Sequence, residues 1–180
     1  DEDEFVYGFV GRITRDKGIN EVLEAYFSLN TDAKLFLVGG IEENHKLNLD
    51  LLNKAIEDKN VIFVGNVTDV EKYYATMDVL ILPSYREGFG NVIIEAGVMG
   101  TPAIVSNIPG PKDAIRDSET GLLVKVKNVK DLVDKMDEIR DNYVLKEYSN
   151  KSYSFVKDNF NSELLCEYIY KRKKELIENE

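Results

Sequence analysis

The stretch PSYREGFGNVIIEA, residues 83–96, decides the fold. It follows the apolar run Val79–Leu82, which predicts a buried strand, and it leads into a helical pattern that ends near Met99. The turn between them carries two glycines, which let a backbone pass close to a ligand. Free N–H groups and the helix dipole favour an anion at the start of the helix. The stretch therefore predicts an α/β domain with an anion site at this turn.

Two carboxylates flank the predicted anion site. Glu87 lies in the turn, and Glu95 lies in the helix that follows. A carboxylate accepts two hydrogen bonds and so suits a pair of neighbouring sugar hydroxyls. A phosphate at the helix start with hydroxyls on either side describes a nucleotide sugar.

Strand and helix patterns alternate along the rest of the chain. This alternation predicts a Rossmann-like, doubly wound parallel sheet of about six strands with helices on both faces, in one domain over 1–180. Loops that follow parallel strands meet at one edge of the sheet, which should bring residues 11–18, 87–91 and 107–114 together. The other expected strands are 5–10, 34–38, 61–64, 103–106 and 121–124; the expected helices start near 19, 43, 69, 130 and 162, with Asp69 and Ser162 as caps.

Composition restricts the class of partner. The chain of 180 residues has a net charge of -10, which argues against a nucleic-acid polymer because phosphate backbones are bound by basic surfaces. A single nucleotide needs only a local basic spot. One cysteine, Cys166, permits no internal disulfide and fits a reducing compartment, so we expect a cytoplasmic location. The acidic start lacks a Met and is unlike a signal peptide, as expected of a piece of a longer protein.

Two motifs together resemble a known family. Glu87-Gly88-Phe89-Gly90 with Glu95, followed by Gly100-Thr101-Pro102 and the run 103–106, resembles the donor-binding half of a retaining GT-B glycosyltransferase of group 1, also called glycosyltransferase family 4. The resemblance covers about residues 5–136, with the motifs in the family's order.

The resemblance implies a fold, a reaction and partners. The fold is the C-terminal half of a GT-B enzyme. The reaction is hexosyl transfer from a UDP- or GDP-type sugar to a glycan or lipid-linked acceptor. The richness in Asn, Lys, Ile and Tyr indicates a bacterium with an AT-rich genome, and surface polysaccharide biosynthesis is then the expected pathway by analogy. The acceptor and a further catalytic side chain belong to an N-terminal domain, so residues 1–180 alone are expected to be inactive. A terminal helix over about 160–178 is a candidate to pack on that domain.

The resemblance also assigns roles to residues. Glu87, Arg12 and Lys17 are the expected catalytic set, with the two cations on the leaving diphosphate and Glu87 beside the reacting face of the sugar. Glu95 is expected to hold the ribose hydroxyls and, in its apolar surroundings, to be covered and paired. The expected substrate-binding residues are Gly11, Asn66, Val67, Gly88, Phe89, Gly90, Asn91, Val92, Glu95 and Lys112.

Several of these residues carry specific expectations. Asn66 and Val67 would receive the base through their backbone, and the side chain of Phe89 would pack in the core. Ser84 is a further candidate for the phosphate region. Lys112 lies in a Gly-Pro-Lys-Asp sequence that departs from the family's motif, and it is either a cation of the sugar pocket or a solvated side chain.

Metals and other cofactors are not expected. Beyond the acidic start, residues 1–4, the chain has no Asp-x-Asp motif, and it has no His/Cys cluster; relatives of this architecture use cations instead. His45 is expected on the surface and Cys166 in the core. The basic run 171–174 has two interpretations, a weak peripheral membrane contact or a solvated helix end.

Two other classes of function compete with this one. The same fold could serve as a non-catalytic nucleotide-binding or scaffolding module, and a scaffold would need none of the charged residues above. It could also belong to a dinucleotide oxidoreductase or a nucleotide-sugar epimerase. A dehydrogenase would carry Gly-x-Gly-x-x-Gly after its first strand, and the sequence 8–12 there reads Gly-Phe-Val-Gly-Arg.

Overall fold

The computed structural model describes residues 4–42 and 47–161. The strands are β1 (Val6–Val10), β2 (Lys34–Val38), β3 (Val61–Gly65), β4 (Val79–Leu82), β5 (Ala103–Ser106) and β6 (Gly121–Val124). The helices are α1 (Ile19–Leu29), α2 (Leu49–Glu57), α3 (Glu71–Tyr74), α4 (Asn91–Val98), α5 (Val129–Glu138) and α6 (Asn142–Asn159), with 3-10 turns at Arg15–Lys17 and Pro111–Asp113.

The six strands form one parallel sheet in the order β3-β2-β1-β4-β5-β6. Helix α1 packs on α2 and α5, and helix α4 packs on α3 and α6, so helices cover both sides of the sheet. The predicted doubly wound α/β fold is therefore confirmed.

The core lies along the middle of the sheet. Every residue of β1, β4 and β5 is buried, as expected of parallel strands that are covered on both faces. Each fully buried large side chain contributes roughly 1.5–3 kcal/mol by leaving water. The largest of them on the strands include Tyr7, Phe9, Leu35, Leu37, Leu80, Ile81 and Leu82.

The strand order reverses between β1 and β4, and this reversal positions the site. The chain leaves β1 towards β2 on one side and leaves β4 towards β5 on the other. The connections that follow β1 and β4 therefore run to opposite sides of the sheet and leave a crevice at its edge. Open α/β sheets bind ligands in such a crevice.

Two helix starts differ from the prediction. Residues 47–48 are not helical, and α2 begins at Leu49 because the side chain of Asn48 accepts hydrogen bonds from the backbone N–H groups of Asp50 and Leu51. Asp69 does not cap α3: its carboxylate pairs with the Lys72 ammonium at 2.6 Å, and no side chain within residues 47–161 caps the helix.

The predictions for His45, Ser162, Cys166, the basic run 171–174 and the terminal helix lie outside the described residues. Within residues 4–42 and 47–161, no helix combines the length and apolar character needed to cross a membrane.

Candidate functional site

The loop after β1 is joined to the loop after β2. The N–H of Gly11 donates to the carbonyl of Val38 at 2.9 Å, and the N–H of Ile13 donates to the carbonyl of Gly40 at 2.8 Å. These bonds extend the pairing of the two strands beyond their ends. They fix the backbone on both sides of Arg12 at the edge of the sheet.

The same loop is also joined to the segment after β4. The N–H of Tyr85 donates to the carbonyl of Asp16 at 2.8 Å, and the phenol of Tyr85 donates to Glu21 at 2.5 Å. Burial, followed by the bond to Glu21, raises the pKa of Tyr85 to about 12, so the phenol remains a donor. Gly18, at φ +79°, packs so closely that a Cβ atom would lie 2.4 Å from the carbonyl oxygen of Pro83.

This docking brings a lysine to a glutamate 70 residues away. The Lys17 ammonium lies 2.5 Å from Oε2 of Glu87, and each side chain is only 16% exposed. The other oxygen of Glu87 accepts the N–H of Gly88 at 3.2 Å. Because the pair is largely shielded from water, its attraction is screened less than that of a surface pair.

Helix α4 begins beside this ion pair. Gly90 is its N-cap, and no side chain of the described residues caps the first turn. The amides of Asn91 and Val92 belong to that turn, which has no intrahelical acceptor for them. A cavity of about 380 Å³ opens here, and it is lined by Val10, Gly11, Arg12, Lys17, Leu82, Glu87, Phe89, Gly90, Asn91 and Val92.

Arg12 has a carboxylate partner at the rim. Its guanidinium lies 3.1 Å from Glu42, which follows the β2 loop, and its side chain is 57% exposed. An exposed ion pair of this kind contributes about 0.2–1 kcal/mol. An anion with two charges could displace Glu42 at a small energetic cost.

The structure thus gathers most of the residues expected at the site around one cavity. Gly88 is exposed next to it. Asn66 is also exposed, with its amide against Gly40 of the β2 loop, and Val67 follows it; neither lines the cavity. Lys112 is exposed and lies outside the cavity lining.

Glu95 lies in a neighbouring pocket. It is exposed on α4, contrary to the expectation that its apolar neighbours would cover it, because the buried side of the helix is formed by Ile93, Ala96 and Gly97. It has the expected partner: the phenol of Tyr74 donates to its carboxylate at 2.9 Å. The pocket is lined by Phe89, Asn91, Ile94, Glu95, Asn159 and Phe160.

Two side-chain predictions were wrong. Phe89 is not in the core but 42% exposed, because the turn projects it from the sheet edge, where it packs edge-on against Phe160 at 5.4 Å between ring centroids. Ser84, two residues after β4, is fully buried and does not line the cavity.

The loop after β5 approaches the site through backbone. A Cβ atom on Gly110 would lie 1.8 Å from the carbonyl oxygen of Gly88, and Gly110 has a φ of +93°. The N–H of Gly110 donates to the carboxylate of Asp113 at 3.1 Å, which closes the turn. The glycine is therefore required by both space and backbone angle.

Sequence reasoning missed Glu42, Tyr74 and the Tyr85–Glu21 pair. Glu42 had a usable signal, since it follows a parallel strand whose loop must reach the same edge. Tyr74 and Glu21 gave none, because their roles depend on contacts between separate elements.

Comparisons with known proteins agree with this architecture. Residues 1–154 match the family described as glycosyl transferases group 1. The chain is 31% identical over 171 residues to the capsular polysaccharide biosynthesis glycosyltransferase CapM of Staphylococcus aureus, which covers 93% of this chain and 45% of that relative. The chain therefore spans less than half of that relative's length.

Solved structures give the same result. The C-terminal domain of a glycosyl transferase group 1 family protein, LpcC of Francisella tularensis, aligns with a TM-score of 0.79 and 25% identity over 88% of this chain and 87% of that domain. Anabaena Alr3699/HepE in complex with UDP aligns with a TM-score of 0.85 over 96% of this chain and 49% of that one; its 19% identity shows the fold alone. This chain belongs to the group 1 glycosyltransferases and has the fold of a GT-B C-terminal domain.

Gly110→Ala tests the close approach of the two loops. We expect a loss of about 3 kcal/mol in the free energy of unfolding, because the methyl group must displace backbone and the residue must keep a positive φ. Urea denaturation of the 180-residue chain measures this loss.

Gly65→Ala is the matched control, since Gly65 also has a positive φ, +77°, but no atom lies within 4 Å of an added Cβ. It should lower the free energy of unfolding by only about 1–2 kcal/mol, because it adds the strain of a positive φ but no steric contact. Equal losses in the two variants would show that Gly110 does not pack against Gly88.

Proposed function

We propose that this chain is the donor-binding domain of a retaining glycosyltransferase. The whole enzyme transfers a sugar from a nucleotide-diphosphate sugar to a glycan or lipid-linked acceptor, in bacterial polysaccharide biosynthesis. The acceptor site belongs to an N-terminal domain, and the described residues bind the donor. The capsular polysaccharide relative supports this pathway.

The observation that carries the proposal is the meeting of Lys17, Glu87 and the uncapped start of α4 in one cavity. Arg12 lines the same cavity. When the bond from the sugar to the diphosphate breaks, negative charge builds on the leaving group. Fixed cations and backbone N–H groups directed at that charge lower the barrier.

In this proposal, Lys17 has a second role as the holder of Glu87. The ion pair keeps the Glu87 carboxylate at the cavity wall, where a sugar attached to the diphosphate would lie. Glu87 then receives sugar hydroxyls on the side of the anomeric carbon from which both departure and attack occur. Loss of either partner should therefore affect the other.

The nucleoside would extend from the diphosphate beyond the cavity. Glu95 is one helical turn after Asn91, within reach of a ribose attached to a diphosphate at the helix start. The loop of Asn66 and Val67 remains our candidate for the base. Lys112 is exposed outside the cavity lining and stays a candidate for a cation of the sugar pocket or a solvated side chain. The fold relative solved with UDP makes a uridine nucleotide the first to test.

The location of the enzyme follows from the same reasoning. We place it in the cytoplasm, since the single cysteine cannot form an internal disulfide. A weak contact of the basic run 171–174 with an anionic membrane surface is the one lipid interaction included in the proposal.

A non-catalytic nucleotide-binding module is the second candidate, and the exposed Arg12 is the observation that favours it over an oxidoreductase or epimerase. A binding module would use the cation for the phosphates, but it would have no need for the Lys17–Glu87 pair. The presence of that pair supports catalysis.

Titration calorimetry with UDP, GDP, ADP, uridine and NAD tests donor binding. We expect UDP or GDP to bind and NAD not to bind. Arg12→Ala should weaken diphosphate binding at least about tenfold, because a charge-assisted hydrogen bond contributes about 1.5–3 kcal/mol. It should leave uridine binding unchanged.

Arg116→Ala is the matched control: Arg116 is 59% exposed and lies 3.9 Å from Glu119, much as Arg12 lies beside Glu42, but it does not line the cavity, and its removal should leave UDP affinity within about twofold. Binding of NAD in preference to UDP and GDP, or an unchanged diphosphate affinity in Arg12→Ala, would contradict the proposal.

The stereochemistry of the product tests retention. We expect the full-length enzyme, given a labelled donor and its acceptor, to form a product with the anomeric configuration of the donor, as read from the anomeric coupling constants by NMR. An inverted product would rule out the retaining role of Glu87. Hydrolysis of the donor without transfer of the sugar to the acceptor would rule out transferase activity.

A further inference from the structure

A buried phenol holds the carboxylate of Glu95. The Tyr74 hydroxyl donates to Oε2 of Glu95 at 2.9 Å. Tyr74 is 1% exposed, whereas Glu95 lies on the exposed side of α4. One partner is thus fixed by the interior, and the other faces the solvent.

The packing around Tyr74 leaves it little freedom. It ends α3, and its carbonyl accepts a buried hydrogen bond from the Thr101 hydroxyl at 2.8 Å, just before β5. Burial, and then the bond to Glu95, raises the pKa of Tyr74, so its hydroxyl stays protonated and remains a donor. Tyr74 is therefore a fixed hydrogen-bond donor beneath α4.

The bond uses one of the two oxygens of Glu95. Within residues 4–42 and 47–161, Tyr74 provides the single side-chain hydrogen bond to this carboxylate. The other oxygen of Glu95, Oε1, therefore remains available to accept a hydrogen bond from a ligand. A glutamate side chain without such a bond samples several rotamers, and a ligand that needs one of them must restrict it on binding.

We infer that Tyr74 is a positioning residue that holds Glu95 in the conformation that accepts a hydrogen bond from a ribose hydroxyl. The inference depends on the proposed function, because it needs a nucleotide with its diphosphate at the start of α4. Tyr74 itself does not touch the ligand. Its effect should appear in the discrimination between ribose and a sugar without the two hydroxyls.

The test compares the dissociation constants of UDP and 2′,3′-dideoxy-UDP by calorimetry. We expect the dissociation constant of UDP to be lower than that of the dideoxy compound by about tenfold or more for the unaltered chain. One good hydrogen bond to a charged group has an effect of this size. Glu95→Ala should abolish the preference. Tyr74→Phe should reduce it to about threefold or less, with the affinity for the dideoxy compound unchanged, since only the positioning of Glu95 is lost.

Two controls separate positioning from a general loss of structure. Tyr7→Phe and Tyr26→Phe remove buried hydroxyls that donate to the carbonyls of Met136 and Ala33, both at 2.7 Å and away from the cavity lining, and should keep the full preference. Adding Tyr74→Phe to Glu95→Ala should cause no further change in either dissociation constant. Thermal unfolding checks that each variant is folded.

Each outcome of these titrations overturns a different claim. If Tyr74→Phe keeps the full preference while Glu95→Ala loses it, Glu95 binds ribose without Tyr74 and the inference is overturned alone. If Glu95→Ala keeps the preference while Arg12→Ala still weakens UDP, the ribose role of Glu95 is overturned together with the inference, and the diphosphate site stands. If UDP and GDP do not bind the unaltered chain, the proposed function fails as well.

Discussion

The ion pair between Lys17 and Glu87 depends on how two loops are docked, and the rest of the site depends on that docking. Neither loop could hold its charged residue at 16% exposure alone. The backbone bond from Tyr85 to Asp16 and the close packing of Gly18 on Pro83 bring them together. A charge pair placed in this way is screened less by salt and solvent than an exposed pair. It leaves the shielded cavity with a fixed cation and a fixed carboxylate.

The fold explains why the docking occurs at this edge. The strand order reverses between β1 and β4, so their loops border one crevice, and α4 begins in it. Glycines at the crossing points permit backbone contacts that any side chain would block, as at Gly110. Charges, helix dipole and backbone amides thereby converge on one cavity. The described residues contain no group of three or more His, Cys, Asp or Glu that could hold a metal ion.

The strands could be predicted well because parallel strands buried on both faces appear as short apolar runs. The bounds Lys34–Val38, Val79–Leu82, Ala103–Ser106 and Gly121–Val124 agree residue by residue. The neighbourhood of Arg12, Lys17 and Glu87 was predictable because each follows a parallel strand.

Other features depended on contacts that leave no local signal. The exposure of Phe89 is set by how the turn leaves the sheet. The bond from Tyr74 to Glu95 joins two helices, and the capture of Arg12 by Glu42 joins two loops. Periodicity and composition describe one element at a time and therefore do not reveal such pairs.

A crystal structure of the chain with UDP bound would show directly whether the diphosphate lies between the two cations and the start of α4. We expect diphosphate oxygens within about 3.5 Å of the Lys17 ammonium, the Arg12 guanidinium and the first backbone amides of α4, with Arg12 released from Glu42. A nucleotide bound elsewhere on the domain, or a diphosphate in contact with neither cation, would contradict it.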